Sequence, residues 1–184
     1  MVSMDEKQLV KQVLSGSDSA IRLLISKYER LVVHMVARVV SDDMDSEELC
    51  QDVFIKVVDK LSTFHFDSKL STWIATIAYR MAVNFAKKKK LVQVDLDEVA
   101  FKVGEDAEVT EEEDMKRFIL KLLDQLPINY KTVLTLFYLD GFSYPEIMEV
   151  TGMPEGTVKN YIHRARLKLK KIVEEQARKE VALL

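Results

Sequence analysis

The sequence predicts an all-α protein of two small helical domains joined by a flexible acidic linker. Three observations predict it. Glycine and proline are scarce, five and three in 184 residues, too few for the many turns of an all-β chain. Apolar residues recur three and four positions apart along most of the length, the period of an amphipathic helix. Charge is segregated: residues 1–92 carry a net +2, residues 93–114 a net −9 and residues 115–184 a net +4. The domains so defined are residues 1–92 and 113–184, with residues 93–112 between them.

The elements follow in order. Residues 5–14 form a short helix with Leu9, Val10, Val13 and Leu14 on one side, ended by Gly16. A long helix from about Ser19 to Val40 carries Ile21, Leu24, Ile25, Tyr28, Leu31, Val32, Met35, Val36 and Val39 at helical spacing. A third helix, 46–61, is capped by Asp45, with Glu48 closing a capping box. It buries Leu49, Val53, Phe54, Val57 and Leu61. The loop STFHFDSKL leads into a helix of 71–89. Its core stripe is Ile74, Ile77, Ala78, Met81 and Phe85. Trp73, Thr76, Arg80, Asn84 and Lys87 lie on a neighbouring stripe. The acidic stretch 91–110 lacks periodicity. Helices are then expected at 111–124, at 128–139 and, after the turn DGFS, from Ser143, where Glu146 forms a second capping box and Pro145 sits in the first turn. That helix ends at Thr151-Gly152, and a last one runs from about Pro154 towards Ala177.

Other classes are excluded. No run reaches about 18 apolar residues, so no membrane insertion is expected. The opening MVSMDEKQLV lacks the pattern of a secretory signal. A single cysteine, Cys50, permits no internal disulfide and suits a reducing cytoplasm. Three histidines and one cysteine without close spacing make no metal site. No nucleophile–base pair and no phosphate loop is visible, so neither catalytic residues nor a cofactor are expected.

Chemistry concentrates in Ser143–Lys171. A short capped helix, a tight turn at Gly152 and a basic second helix make a helix-turn-helix. In the second helix Val158, Ile162, Ala165, Leu169 and Ile172 fall on one line and face the core. Lys159, Asn160, His163, Arg164 and Lys171 lie opposite. A helix fits the major groove and reads bases near its N-terminus, where lysine can donate to guanine and asparagine can pair with adenine. Arg166, Lys168 and Lys170 lie further on and suit phosphates. An ordinary helical hairpin with a basic outer face is the competing reading.

The run LDQLPINYKTVLTLFYLDGFSYPEIMEVTGMPEGTVKNYIHRARLKLKK resembles region 4 of the sigma-70 family, especially its extracytoplasmic-function (ECF) group. The markers are LP-x-x-Y-K-x-V-L, G-x-S-x-x-E-I, and GTVK followed by H-R-A-R. Asn160-Tyr161 stand where the family commonly has Ser-Arg, and TVKNYI is also similar to the recognition helix of LuxR-type regulators. DMDSEELCQDVFIKVVDKLSTF and FHFDSKLSTWIATIAYRMAVNFAKKKK resemble family region 2. There, His65-Phe66 stand where Arg-Gly is common, and Arg80 where Asn is common.

The resemblance implies a sigma factor that binds core RNA polymerase at its clamp helices and flap. It also implies recognition of −10 and −35 promoter elements, melting of the −10 DNA and control by an anti-sigma factor. Asp45, Glu47, Glu48, Gln51, Asp52 and Lys56 would meet polymerase. Phe64, His65, Asp67, Ser68, Lys69, Thr72, Trp73, Arg80, Asn84, Lys87 and Lys88 would hold the −10 element, partly single-stranded, with Phe64, His65 and Phe66 offering aromatic faces for stacking and the lysines a basic path for phosphates. Trp73 reads equally as core. Thr157, Lys159, Asn160, Tyr161, His163, Arg164, Arg166 and Lys170 would meet the −35 duplex. In the family the acidic stretch threads towards the polymerase active centre, while its composition alone fits a solubilising tether equally well. A LuxR-like regulator, dimeric on duplex DNA and without polymerase, remains the alternative.

Overall fold

The computed structural model describes residues 6–40, 42–92, 118–119 and 121–181. The expected linker, 93–112, and most of the expected helix 111–124 lie outside them. The chain divides into two compact units, the first drawn mainly from residues 1–99 and the second mainly from residues 100–184. Helices build both, and the described residues contain no strand.

In the N-terminal unit, α1 (Glu6–Leu14) is followed by α2 (Asp18–Ala37), α3 (Asp43–Lys60), a 3-10 turn (Leu61–Thr63) and α4 (Leu70–Val92). Gly16, at φ +82°, turns the chain between α1 and α2. Ser17 caps α2 by accepting a hydrogen bond from the Ala20 N–H at 3.4 Å. Helix α2 packs against α1, α3 and α4, and α3 also packs against α4. The shared core holds Leu9, Leu24, Val32, Met35, Val36, Val53, Val57, Leu61, Leu70 and Ile74, all at or near zero exposure. Each such side chain contributes about 1.5–3 kcal/mol by leaving water. The predicted stripes of α1 and α2 are buried at Leu9, Val10, Val13, Leu24, Tyr28, Val32, Met35 and Val36, half-buried at Ile21, Ile25, Leu31 and Val39 and exposed at Leu14.

Two expectations about α3 and α4 need correction. Helix α3 begins earlier than predicted, and Asp42 is its cap: its carboxylate accepts from the Asp45 N–H at 3.0 Å. In α4 the fully buried line is Leu70, Ile74, Ala75, Ala78 and Ala82, while Ile77, Met81 and Phe85 are half-buried. The small alanines suit the close approach of α2 and α3 on that side.

The C-terminal unit contains α5 (Ile128–Leu134), continued by a π turn (Thr135–Leu139), then α6 (Tyr144–Thr151) and α7 (Glu155–Val181). The π turn was not predicted. Its closing bond runs from the Asp140 N–H to the Thr135 carbonyl at 3.0 Å, one residue longer than an α-helical bond. Leu122, Leu123, Leu126, Val133, Leu136, Phe142, Ile147, Val150, Val158, Ile162 and Ala165 form the core of this unit. Helix α5 packs on α7.

Candidate nucleic-acid interface

The stretch Ser143–Lys171 folds as predicted from local rules. The Glu146 carboxylate accepts from the Ser143 backbone N–H at 2.8 Å and from its hydroxyl at 2.6 Å. Pro145 occupies the first turn of α6, where its missing N–H costs nothing. Gly152 ends α6 in the left-handed region at φ +72°, and its N–H reaches the Met148 carbonyl at 2.8 Å. Two residues later the Pro154 carbonyl accepts from Thr157 and Val158, at 2.9 and 3.0 Å, and α7 begins.

Helix α7 buries Val158, Ile162 and Ala165, while Leu169 and Ile172, expected on the same line, are half-buried. The opposite side exposes Lys159, Asn160, His163, Arg164, Arg166, Lys168, Lys170 and Lys171. Lys159 is tethered there. Its ammonium lies 2.6 Å from Glu155 and 5.8 Å from the centre of the Tyr144 ring. The hydrogen bond to Glu155 holds the ammonium above its ordinary pKa and the carboxylate below its own. Lys170 lies 3.8 Å from Glu174. Tyr161 departs from expectation. Its ring meets Tyr130 edge-on at 5.2 Å between centroids, which fastens α7 to α5 and leaves the side chain half-buried. Thr157 is half-buried.

In the N-terminal unit α4 exposes Arg80, Asn84, Lys87 and Lys88 on one side. Three and four residues apart, they form a ladder of donors and cations along the helix. Thr72 does not join them. It is fully buried, and its carbonyl accepts from the Thr76 hydroxyl at 2.8 Å. Phe64 is buried too, at 6% exposure, because the 3-10 turn before it directs its ring inward. It packs on the half-buried Trp73 with centroids 5.4 Å apart. The sequence reading assigned Phe64 to stacking, and the structure gives that ring to the core. Phe66, 41% exposed, is the aromatic presented by the loop. His65, Asp67 and Lys69 are exposed beside it, and Ser68 is half-buried.

Phe66 sits at φ +62°, and among the described residues no other non-glycine has a positive φ. Such a conformation costs a residue bearing a Cβ on the order of 1–2 kcal/mol. It also explains why glycine suits this position.

Helix α3 exposes Glu47, Glu48, Gln51, Asp52 and Lys56, while Asp45 is half-buried. Two apolar residues that sequence reasoning passed over stand among them: Met44 at 84% exposure and Ile55 at 61%. Met44, Glu48, Gln51 and Ile55 follow a four, three, four spacing. That stripe was legible in the sequence, since neither apolar residue falls on the buried line. Cys50 is half-buried. Burial first, then the Glu29 and Glu47 carboxylates, push its thiol up, away from the reactive thiolate. No group of three metal-binding side chains occurs among the described residues, and no helix there is long and apolar enough to cross a membrane.

Comparison with known proteins matches both units. Residues 24–92 match sigma-70 region 2 and residues 118–169 match sigma-70 region 4. The RNA polymerase sigma-H factor of Pseudomonas aeruginosa is 30% identical, aligning 92% of this chain and 94% of that protein. The ECF RNA polymerase sigma-E factor of Escherichia coli is 31% identical over 88% of this chain and 90% of its own. The ECF sigma factor SigW of Bacillus subtilis is 31% identical over 90% and 95%. Two solved structures share the fold. The sigma factor RpoE of Bartonella quintana, crystallised with the anti-sigma factor NepR, gives a TM-score of 0.69 at 22% identity, covering 83% of this chain and 96% of that one. CnrH, in complex with the cytosolic domain of CnrY, gives 0.64 at 21% identity, covering 91% and 96%.

A region 2 followed by a region 4 is the arrangement of a sigma factor, a transcription-initiation protein and not an enzyme. The chain belongs to the sigma-70 family, in its extracytoplasmic-function group. The LuxR-like alternative leaves the match over residues 24–92 unexplained and is set aside.

Proposed function

We propose that this sigma factor docks on the clamp helices of core RNA polymerase through α3, engages the flap through its C-terminal unit and selects promoters at two elements. The exposed side of α7, led by Asn160, reads the −35 duplex from the major groove, and α6 with α7 acts as a helix-turn-helix. The ladder Arg80, Asn84, Lys87 and Lys88 on α4 holds the −10 strand, and the loop before α4 captures an unpaired base as the duplex opens. The observation that carries this reading is the presence in each unit of one helix with a buried apolar line and a cationic, amide-bearing opposite side. Phosphate contacts made by such cations give affinity, and the amides give base preference.

The Met44 and Ile55 side chains on the exposed side of α3 suit a protein partner, because interface centres are apolar and rims polar. An anti-sigma protein is the expected regulator, in keeping with the anti-sigma factor NepR bound to one structural neighbour. The cytoplasm is the expected compartment.

Reconstitution with core polymerase and a promoter library, followed by sequencing of transcript starts, tests the reading. Starts should follow a two-part motif with fixed spacing. Binding to duplex DNA without polymerase, and no new starts with it, would overturn the proposal.

A further inference from the structure

Glu155 is out of keeping with its surroundings. It is the only acid in the stretch 155–171, which is otherwise rich in lysine and arginine. With Lys159 and His163, each four residues further on, it lies on the exposed side of α7. A carboxylate in the first turn steadies the helix start, but on this side it also confronts DNA phosphates. Its geometry is not that of a loose surface pair, which is worth little. The Glu155 carboxylate and the Lys159 ammonium are 2.6 Å apart. The ammonium also lies 5.8 Å from the centre of the Tyr144 ring. That ring is half-buried and packs on Phe137 with centroids 5.2 Å apart. Beside the pair, a methyl group at Gly156 would meet nothing outside its own turn within 4 Å, so the surface there is low and open. A hydrogen-bond acceptor and a donor are therefore set side by side at the end of α7 that would enter the groove.

We infer that Glu155 and Lys159 together read one G·C base pair of the −35 element, the ammonium donating to guanine O6 or N7 and the carboxylate accepting from the cytosine N4 amino group. This rests on the proposed −35 role of α7 and adds an acidic specificity residue to it. In the major groove a G·C pair presents two adjacent acceptors followed by one donor, which complements the two side chains. An A·T pair places its donor between two acceptors, so the ammonium meets only one of them. On the right base pair the two side chains exchange each other for base edges. On a wrong one the carboxylate is left without a full set of donors next to DNA phosphates. Glu155 thus acts mainly by rejecting other sequences.

The test uses the full chain assembled with core polymerase and a library of duplex promoters varied across the −35 element. Wild type should favour G·C at one base pair by about tenfold. Glu155→Ala should lose most of that preference because binding to the other three base pairs rises, while discrimination elsewhere in the element persists. Lys159→Met, which strands the carboxylate, should instead weaken binding to the G·C sequence about tenfold. Both side chains are more than half exposed, so thermal midpoints should stay close to wild type. Equal weakening of all sequences by Glu155→Ala would reduce the residue to support of the helix start and overturn the inference. An unchanged preference profile, or a loss of preference at an A·T pair instead, would also overturn it. If the wild-type holoenzyme shows no preference at any −35 base pair, the −35 reading itself falls and this inference falls with it.

Discussion

Lys89, near the end of α4, pairs with Asp45 in the first turn of α3. The ion pair ties the helix that carries the cationic ladder to the start of the helix proposed to meet polymerase. The hydrogen bond to Asp45 holds the Lys89 ammonium above its ordinary pKa. Of the run Lys87–Lys90, Lys87 and Lys88 are exposed, whereas Lys89 is half-buried and engaged within the protein.

The run should therefore not behave uniformly towards DNA. Lys87→Ala and Lys88→Ala should each lower the slope of log affinity against log salt by about one unit, the signature of one lost phosphate contact. Lys89→Ala should change the slope by much less. Salt titrations of holoenzyme binding to a −10 fragment check this, and equal slopes for all three variants would contradict it.

Polymerase docking should depend on both chemistries of the exposed side of α3. Asp52→Lys should weaken core binding by reversing a rim charge. Ile55→Ala should weaken it further, by about 1–2 kcal/mol, if the side chain is an anchor in the interface centre. Neither residue is buried in the free protein, so helicity by circular dichroism should be unchanged. Wild-type competition for core polymerase by both variants would remove α3 from the docking surface.

At the −35 element, Asn160→Ala should cost on the order of 1–3 kcal/mol at the preferred sequence and flatten discrimination at one base pair. Lys170→Ala should weaken all promoters alike and lower the salt slope by about one unit. A −35 library assayed with each variant separates the outcomes. A uniform loss with Asn160→Ala would pass base reading to His163 or Arg164, or to Lys159 once released from Glu155.

Alkaline stability of the N-terminal unit should depend on Tyr28. Its hydroxyl donates to the Glu6 carboxylate at 3.1 Å. Burial first, then the charge and hydrogen bond of Glu6, push its pKa well above the ordinary value. An unfolded tyrosine ionises near about pH 10, so the folded state favours the protonated form. The stabilisation is complete below that pH and is lost as pH rises through it towards the folded value. Tyr28→Phe should cost about 1 kcal/mol at neutral pH for the lost bond, yet lose less stability between neutral pH and about pH 10.5. Tyr79, also raised by burial, should leave a residual slope. The chain's single tryptophan, Trp73, reports this unit in denaturant titrations. Parallel pH profiles for the two proteins would contradict the assignment.

Local signals made α6 and α7 legible in advance. Ser143, Pro145, Glu146 and Gly152 each act within a few residues of their own position. The start of α3 was less legible because SDDMDSEE offers several acids at once. Which one caps the helix is settled partly across the fold, where Asp45 meets a lysine 44 positions later. Phe64 and Phe66 pose the same difficulty. Two aromatics flanking one histidine look equivalent as sequence, and only the 3-10 turn before them decides which ring goes inward. The packing of Tyr161 was not legible because its edge contact with Tyr130 joins residues 31 positions apart. The π turn leaves no periodic mark, since Val133, Leu134 and Leu136 suit an ordinary helix as well.

That turn makes the length of the segment matter as much as its composition. One residue beyond α-helical need is stored between Thr135 and Leu139. Deleting it would shorten the path from Leu134 to Asp140 by one residue and remove the widened turn closed from the Asp140 N–H to the Thr135 carbonyl. Phe142, whose N–H is bonded to the Leu136 carbonyl at 2.8 Å, would then leave its place in the core and pull the start of α6 with it. A conservative substitution in TLFYL can be absorbed by repacking, whereas a single-codon deletion there should displace α6 and with it the helix-turn-helix proposed to read DNA.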